Sequence, residues 1–241
     1  LPGATIVLIL AIIYAVYGNT PILLAFFLGI KAAVLVIVLE ALRKVARKSL
    51  ITKASWITAI LSFSALFFLN LPFPLVMLCA AAFGFINPSK VKLRKQKPVL
   101  FVPAYQTLKT AVIWLTLWLL PFVLISGLGG EIVLGQLWIF FSKLAAITFG
   151  GAYSAIAYMT QDAVNANAWL TAEEMMDALG LAEATPGPLI LVTEIVGFLA
   201  AARSGTGFNL WMGIAGAFIT LWVTFVPCFL WIFVGAPYVD W

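Results

Sequence analysis

Two stretches of this sequence place glycines and hydroxyl groups where a helix must break, and such breaks can hold a small anion. The first is Ile147-Thr148-Phe149-Gly150-Gly151-Ala152-Tyr153. The second is Leu181-Ala182-Glu183-Ala184-Thr185-Pro186-Gly187-Pro188-Leu189-Ile190. Proline removes a backbone donor and clashes with the preceding turn. Glycine relaxes what remains, so a helix cannot pass through Pro186-Gly187-Pro188 intact. In lipid, the freed backbone groups must face protein, water or a ligand. The helix that resumes after each break begins with unpaired amides and partial positive charge, which favour a bound anion. Gly150, Gly151 and Gly187 let a tetrahedral anion approach the backbone closely. Thr148, Tyr153 and Thr185 add hydroxyl donors. The competing reading of Pro-Gly-Pro is a plain turn between two spans in the headgroup region.

Two charged residues lie close to these breaks in sequence. Lys143 is the lone base of the apolar run 132–163 and precedes Gly150 by about two helical turns. A cation inside a membrane is costly and often functional; snorkelling to the interface is the alternative. Glu183 stands two residues before Thr185 and would repel an anion if ionised. It can instead be protonated, bond the broken backbone, or couple proton movement to transport, and its other reading is a helix-end residue facing water. Asp162, Glu173, Glu174 and Asp177 read as a solvated face. Arg203 reads as a helix-end cation, and Gly213 with Ala217 as a small-residue helix contact.

The chain has no histidine. That excludes haem ligation, histidine-based metal sites and Ser–His or Cys–His catalysis. Cys79 and Cys228 lie far apart in apolar runs and read as buried free thiols rather than a metal pair. No Ser–Lys or paired-aspartate constellation stands out. The residues call for no metal and no cofactor.

The elements that must position these groups are membrane helices. Hydrophobic residues make up 64 % of the chain and charged residues 10 %, and the mean hydropathy is +1.12. A soluble domain is nearer half apolar and a quarter charged. Several continuous apolar runs approach the ~20 residues that cross a bilayer core of about 30 Å. The fold class is therefore all-α, a polytopic transmembrane helical bundle with broken and short helices. Full-length apolar runs are expected over 21–42, 110–126 and 210–234, and shorter ones over 4–17, 54–69 and 75–86; a helix resumes over 188–203, and the run 132–163 is too long for one ordinary span and is interrupted at Gly150-Gly151. Pro121 predicts a kink. Thr171-Ala172-Glu173-Glu174 predicts a capping box at the start of a short helix, and 165–169 a polar loop.

Of the 14 Lys and Arg residues, ten fall in two patches. The first comprises Arg43, Lys44, Arg47, Lys48 and Lys53. The second comprises Lys90, Lys92, Arg94, Lys95 and Lys97. The positive-inside bias puts both in the cytoplasm, with a two-helix hairpin between them turning at Pro72 and Pro74. Flanked by spans, these patches report topology and imply no nucleic acid. The nine Trp residues suit interfacial belts. The opening Leu1-Pro2-Gly3, without Met, is expected to be a cut inside a longer protein. Leu1-Pro2-Gly3 before an apolar run also echoes Val226-Pro227-Cys228.

These stretches, taken together, resemble the chromate ion transporter family. The likeness runs from Phe141-Ser142-Lys143-Leu144 through Thr148-Phe149-Gly150-Gly151-Ala152-Tyr153 and Ala157-Tyr158-Met159. It continues with Trp169-Leu170-Thr171, Gly180 to Pro188, Val196-Gly197-Phe198 and Leu221 to Cys228, and covers essentially the whole chain. The resemblance implies a duplicated, two-half transporter, with each half carrying a Phe-Gly-Gly and a Pro-Gly-Pro stretch. On that plan residues 1–86 are the C-terminal part of a first half, 87–109 a basic cytoplasmic linker, and 110–241 the second half. It implies a multi-pass protein of the plasma (inner) membrane of a prokaryote, with the bilayer and a small oxyanion as partners; a homo-oligomer stays open. The implied activity is chromate export conferring resistance, with sulfate as a related substrate and no enzyme activity. The alternatives are an intramembrane enzyme or a non-transporting assembly subunit. Glu194 departs from the family, where an uncharged Gln is expected, and this speaks against a coupling role for it.

Overall fold

The computed structural model describes residues 2–18, 20–69, 71–86, 104–127, 132–147, 152–185 and 187–235. Among them, ten α-helices and two short helical turns follow one another, and no strand is present. They are α1 (Pro2–Tyr17), α2 (Pro21–Ser49), α3 (Lys53–Phe67), α4 (Phe73–Ile86), α5 (Ala104–Gly127), α6 (Ile132–Ile147), α7 (Ala152–Thr160), α8 (Ala172–Ala184), α9 (Val192–Ala202) and α10 (Leu210–Gly235). A π-helical turn, Gln161–Ala166, follows α7, and a 3-10 turn, Leu189–Leu191, leads into α9. Three helices are long and apolar enough to cross a membrane: α2, α10 and residues 105–127 of α5. Pro21 opens α2, where its missing amide proton is not needed. α2 runs past Leu42 to Ser49, because its Arg and Lys residues are good helix formers whose heads can stay hydrated.

Contacts divide the chain into two compact units, residues 1–34 with 97–241 and residues 35–96. In the second unit, α3 packs on α4 around an apolar cavity of about 290 Å³ lined by Leu61, Leu75 and Cys79, among others. The Thr52 hydroxyl caps α3 by accepting from the Ser55 amide at 3.1 Å.

In the first unit α10 is the hub, packed on α9, α6 and α5. Its contact with α9 is close because both helices offer glycine. A Cβ on Gly216 would press into the Gly197 carbonyl oxygen, and one on Gly213 would lie 2.6 Å from the Phe198 ring. Gly213 thus does serve helix packing, with Gly197 and Gly216 completing the seam, and Ala217 is buried. Tryptophan knits the rest. Trp222 donates to the Leu117 carbonyl at 2.8 Å, Trp118 to the Ser142 hydroxyl at 3.2 Å, and Trp138 to the Trp118 carbonyl at 3.4 Å. These three bond between helices rather than to an interface, because a buried indole needs a partner.

The expectation of buried thiols is corrected. Cys79 and Cys228 are free and exposed on the surface of the chain. A thiol is apolar enough to sit on a helix face turned toward lipid.

Candidate functional site

The Pro-Gly-Pro break divides two helices of different character. α8 leads into it and starts with the expected capping box. The Thr171 hydroxyl accepts from the Glu174 amide at 3.2 Å, and Glu174 accepts from the Thr171 amide at 2.9 Å. α8 ends at Thr185, whose hydroxyl donates to the Ala182 carbonyl at 2.9 Å. The Thr185 proton is thereby engaged within its own helix end. Glu183 is half-buried in the last turn of α8. Beyond the break, the Leu191 amide donates to the Pro188 carbonyl at 3.0 Å, and the chain winds through the 3-10 turn into α9. α9 has 11 residues, all of them buried. At ~1.5 Å per residue it is about half the length that crosses a bilayer core. A short helix buried on every side, entered through a proline break, is a half-helix inside a bundle.

Gly187 and Pro188 border a cavity of about 600 Å³, with Gly3 and Ala4 of α1 and Trp222 and Val226 of α10 on its other sides. The two echoing segments, Leu1-Pro2-Gly3 and Val226-Pro227-Cys228, therefore both reach this cavity. Its side chains are apolar, so the polar groups it can offer an anion are backbone groups at the break. A more polar cavity of about 580 Å³, lined by Gln136, Asn167, Trp169, Arg203 and Ser204, lies near the far end of α9.

The other break separates α6 from α7. Thr148, Gly150 and Gly151, like Pro186, fall outside the described residues. So does the Tyr153 side chain, although its backbone lies in α7. α7 packs against the 3-10 turn Leu189–Leu191. The helix that follows Gly150-Gly151 thus meets the turn that follows Pro186-Gly187-Pro188. Lys143 is exposed on α6; its charge acts on the Asp162 carboxylate in the π-helical turn, which also bonds Tyr158. Lys143 does not line the cavity beside Gly187. Where a polar loop over 165–169 was expected, the π-helical turn runs to Ala166; π turns recur at functional sites.

The acidic face of α8 differs most from the sequence reading. Asp177 is only 4 % exposed. It accepts from the Tyr14 hydroxyl at 2.9 Å and lies 3.0 Å from the Lys31 ammonium, which also reaches Glu173 at 3.0 Å. Tyr14 is set edge-on to Phe27 with ring centroids 5.0 Å apart. Of the face expected to be solvated, Glu173 is indeed exposed, whereas Asp177 is buried in an ion pair joining α1, α2 and α8, because α2 delivers a cation to it. Removing one partner strands the other. Lys31→Met is expected to lower stability by about 3 kcal/mol, and Lys31→Met with Asp177→Leu to recover most of that loss. Unfolding of the single and double variants in detergent measures the coupling; additive losses would contradict it.

Glu174 turns the other way. It accepts from Arg203 at 2.6 Å, so the helix-end cation of α9 is tied to the start of α8. Partial burial pushes its carboxyl up. The Thr171 amide and the Arg203 guanidinium more than offset this and hold it below the ordinary value of 4.5. A depressed carboxylate stabilises the fold above its unfolded pKa. That contribution is lost as pH falls from about 4.5 through the lowered folded value. Thermal unfolding from pH 6 to pH 3 is expected to show an acid-side loss that Glu174→Gln reduces; an identical loss in the variant would contradict the assignment.

Helices of membrane length, one of them packed on a buried half-helix, define an α-helical integral membrane protein built on broken helices. The chain belongs to the chromate transporter family, whose profile matches residues 1–85 and 135–241. It is 26 % identical over 238 residues to the probable chromate transport protein of Synechococcus elongatus, covering 99 % of this chain and 55 % of that protein. It is 32 % identical over 191 residues to the chromate transport protein of Pseudomonas aeruginosa, covering 75 % of this chain and 42 % of that one. The chain spans about half the length of these curated relatives. No solved structure matches it.

Proposed function

We propose that this chain is part of a secondary transporter that exports chromate across the plasma membrane of a prokaryote and so confers chromate resistance. Sulfate is the isosteric second substrate. The carrying observation is the packing of α7, which follows the Gly-Gly break, against the 3-10 turn that follows Pro-Gly-Pro. Helix starts after two neighbouring breaks would supply backbone donors to a doubly charged oxyanion without a fixed cation. The names of the relatives support the same substrate. Gly150, Gly151 and Gly187 form the backbone cradle, Thr148 and Tyr153 add hydroxyl donors, and Thr185, Pro186 and Pro188 shape the turn. Lys143, directed at Asp162, contributes field rather than contact. Residues 1–86 and 110–241 belong to two related halves joined by the basic segment 87–109, and the site works by alternating access between them.

Chromate flux into vesicles carrying the whole protein tests this reading. Labelled chromate is expected to move faster than in empty vesicles, and excess sulfate to compete. A rate equal to that of empty vesicles would end the proposal.

A further inference from the structure

Glu194 lies in the first turn of α9 and is 2 % exposed. Its Oε2 has no hydrogen-bond partner. Thr224 of α10 is 5 % exposed, and its Oγ1 is also unpartnered. Buried polar groups are nearly always bonded, so each orphan requires a reason. The two belong together by register. Gly197 lies against Gly216 and Thr220, and Ala202 against Gly213. α9 and α10 therefore run antiparallel, and one turn beyond the Gly197–Thr220 contact places Glu194 level with Thr224. Two orphan polar groups thus share one level of a closely packed helix pair.

No charge among the described residues neutralises Glu194. α9 packs on α10, α1, α8, α6 and the 3-10 turn. Of these, α10 offers only Cys228 as an ionisable group, α1 only Tyr14 and Tyr17, α6 only Lys143, and the 3-10 turn none. Lys143 acts on Asp162. On α8, Glu173 and Asp177 are held by Lys31, Glu174 by Arg203, and Glu183 is a fourth acid rather than a base. Arg203 stands at the opposite end of α9. An ionised carboxylate without a counter-charge or hydrogen bonds is not stable in such packing, whereas a carboxylic acid is.

We propose that Glu194 is the proton-binding residue of the transport cycle. It holds a proton while the start of α9 is closed to water and gives it up when the transport cycle brings water to that point, with α9 and α10 still packed, so each passage of the oxyanion is linked to one proton. The proton leaves the carboxylic acid Oε–H bond for solvent and is taken back from solvent on the other side; no other reactant is needed. This rests on the transport reading above and assigns the coupling to Glu194 rather than to Glu183 at the helix end.

Two readouts test it on the whole protein in lipid. Infrared spectra at neutral pH are expected to show the carbonyl stretch of a protonated acid in the wild type, lost in Glu194→Gln. Glu194→Met, similar in volume and unable to hold a proton, runs beside it in case the Gln variant fails to fold. In vesicles, a pH difference of one unit is expected to shift chromate accumulation about tenfold in the wild type and not in either variant, the ratio for one proton per cycle. The same carbonyl band in wild type and variants would overturn the proposal, as would the same response to the pH gradient. The infrared readout does not depend on flux. A lost band with no wild-type chromate movement overturns the coupling and the transport reading together, while an unchanged band with normal flux overturns Glu194 alone.

Discussion

Gly216→Leu is expected to leave little folded protein. At Gly216 the backbone of α10 lies directly on that of α9, and an added Cβ would press into the Gly197 carbonyl oxygen. A carbonyl cannot rotate away as a side chain can, so the helices must separate. Overpacking of this kind costs about 1–3 kcal/mol for one or two added carbons, and a leucine adds more. The cost is not local. Every residue of α9 is buried, and α10 carries the contacts of α9, α6 and α5, so parting the pair opens the core around Phe198, Leu199 and Val223. Gly216→Ala is the graded control. Size-exclusion profiles and melting temperatures in detergent are expected to fall in the order wild type, Ala, Leu; a Leu variant melting with the wild type would contradict this packing.

Gly187→Val is expected to have the opposite signature, an intact fold with lost transport. The Gly187 φ lies outside the left-handed region, so valine brings no backbone strain there. An added Cβ would meet the Leu191 Cδ1 at 2.8 Å, the movable end of a flexible side chain. What valine removes is close access to the backbone between Pro186 and Pro188, which an oxyanion held by amides requires. Gly151→Val is the matching change at the other break; it lies outside the described residues, and the expectation for it rests on the sequence alone.

What could be read from the sequence was local. The Thr171–Glu174 capping box spans three residues, and both of its hydrogen bonds form. The end of α8 and the start of α9 follow from Pro186 and Pro188, because proline acts on the turn beside it. Gly213 was visible as a packing residue from its spacing, whereas Gly197 and Gly216, its partners in the seam, were not. What escaped was long-range. Nothing in the neighbourhood of Asp177 announces Lys31 or Tyr14, so a buried ion pair read as a wet acidic face. A Trp in an apolar run looks the same whether it reaches an interface or the Leu117 carbonyl. Pairs of this kind are fixed by how helices cross. Glu194 was legible as an acid in an apolar stretch, but its burial on all sides was not, because an amphipathic reading cannot tell a lipid-facing position from a central one.

The proposed function rests on two helix breaks forming one oxyanion site. It is tested most directly by chromate flux through Gly187→Val and Gly151→Val in vesicles, with insertion checked for each protein. Normal insertion and flux reduced to the empty-vesicle rate are expected in both variants. Wild-type flux in both would contradict it and remove the breaks from the mechanism.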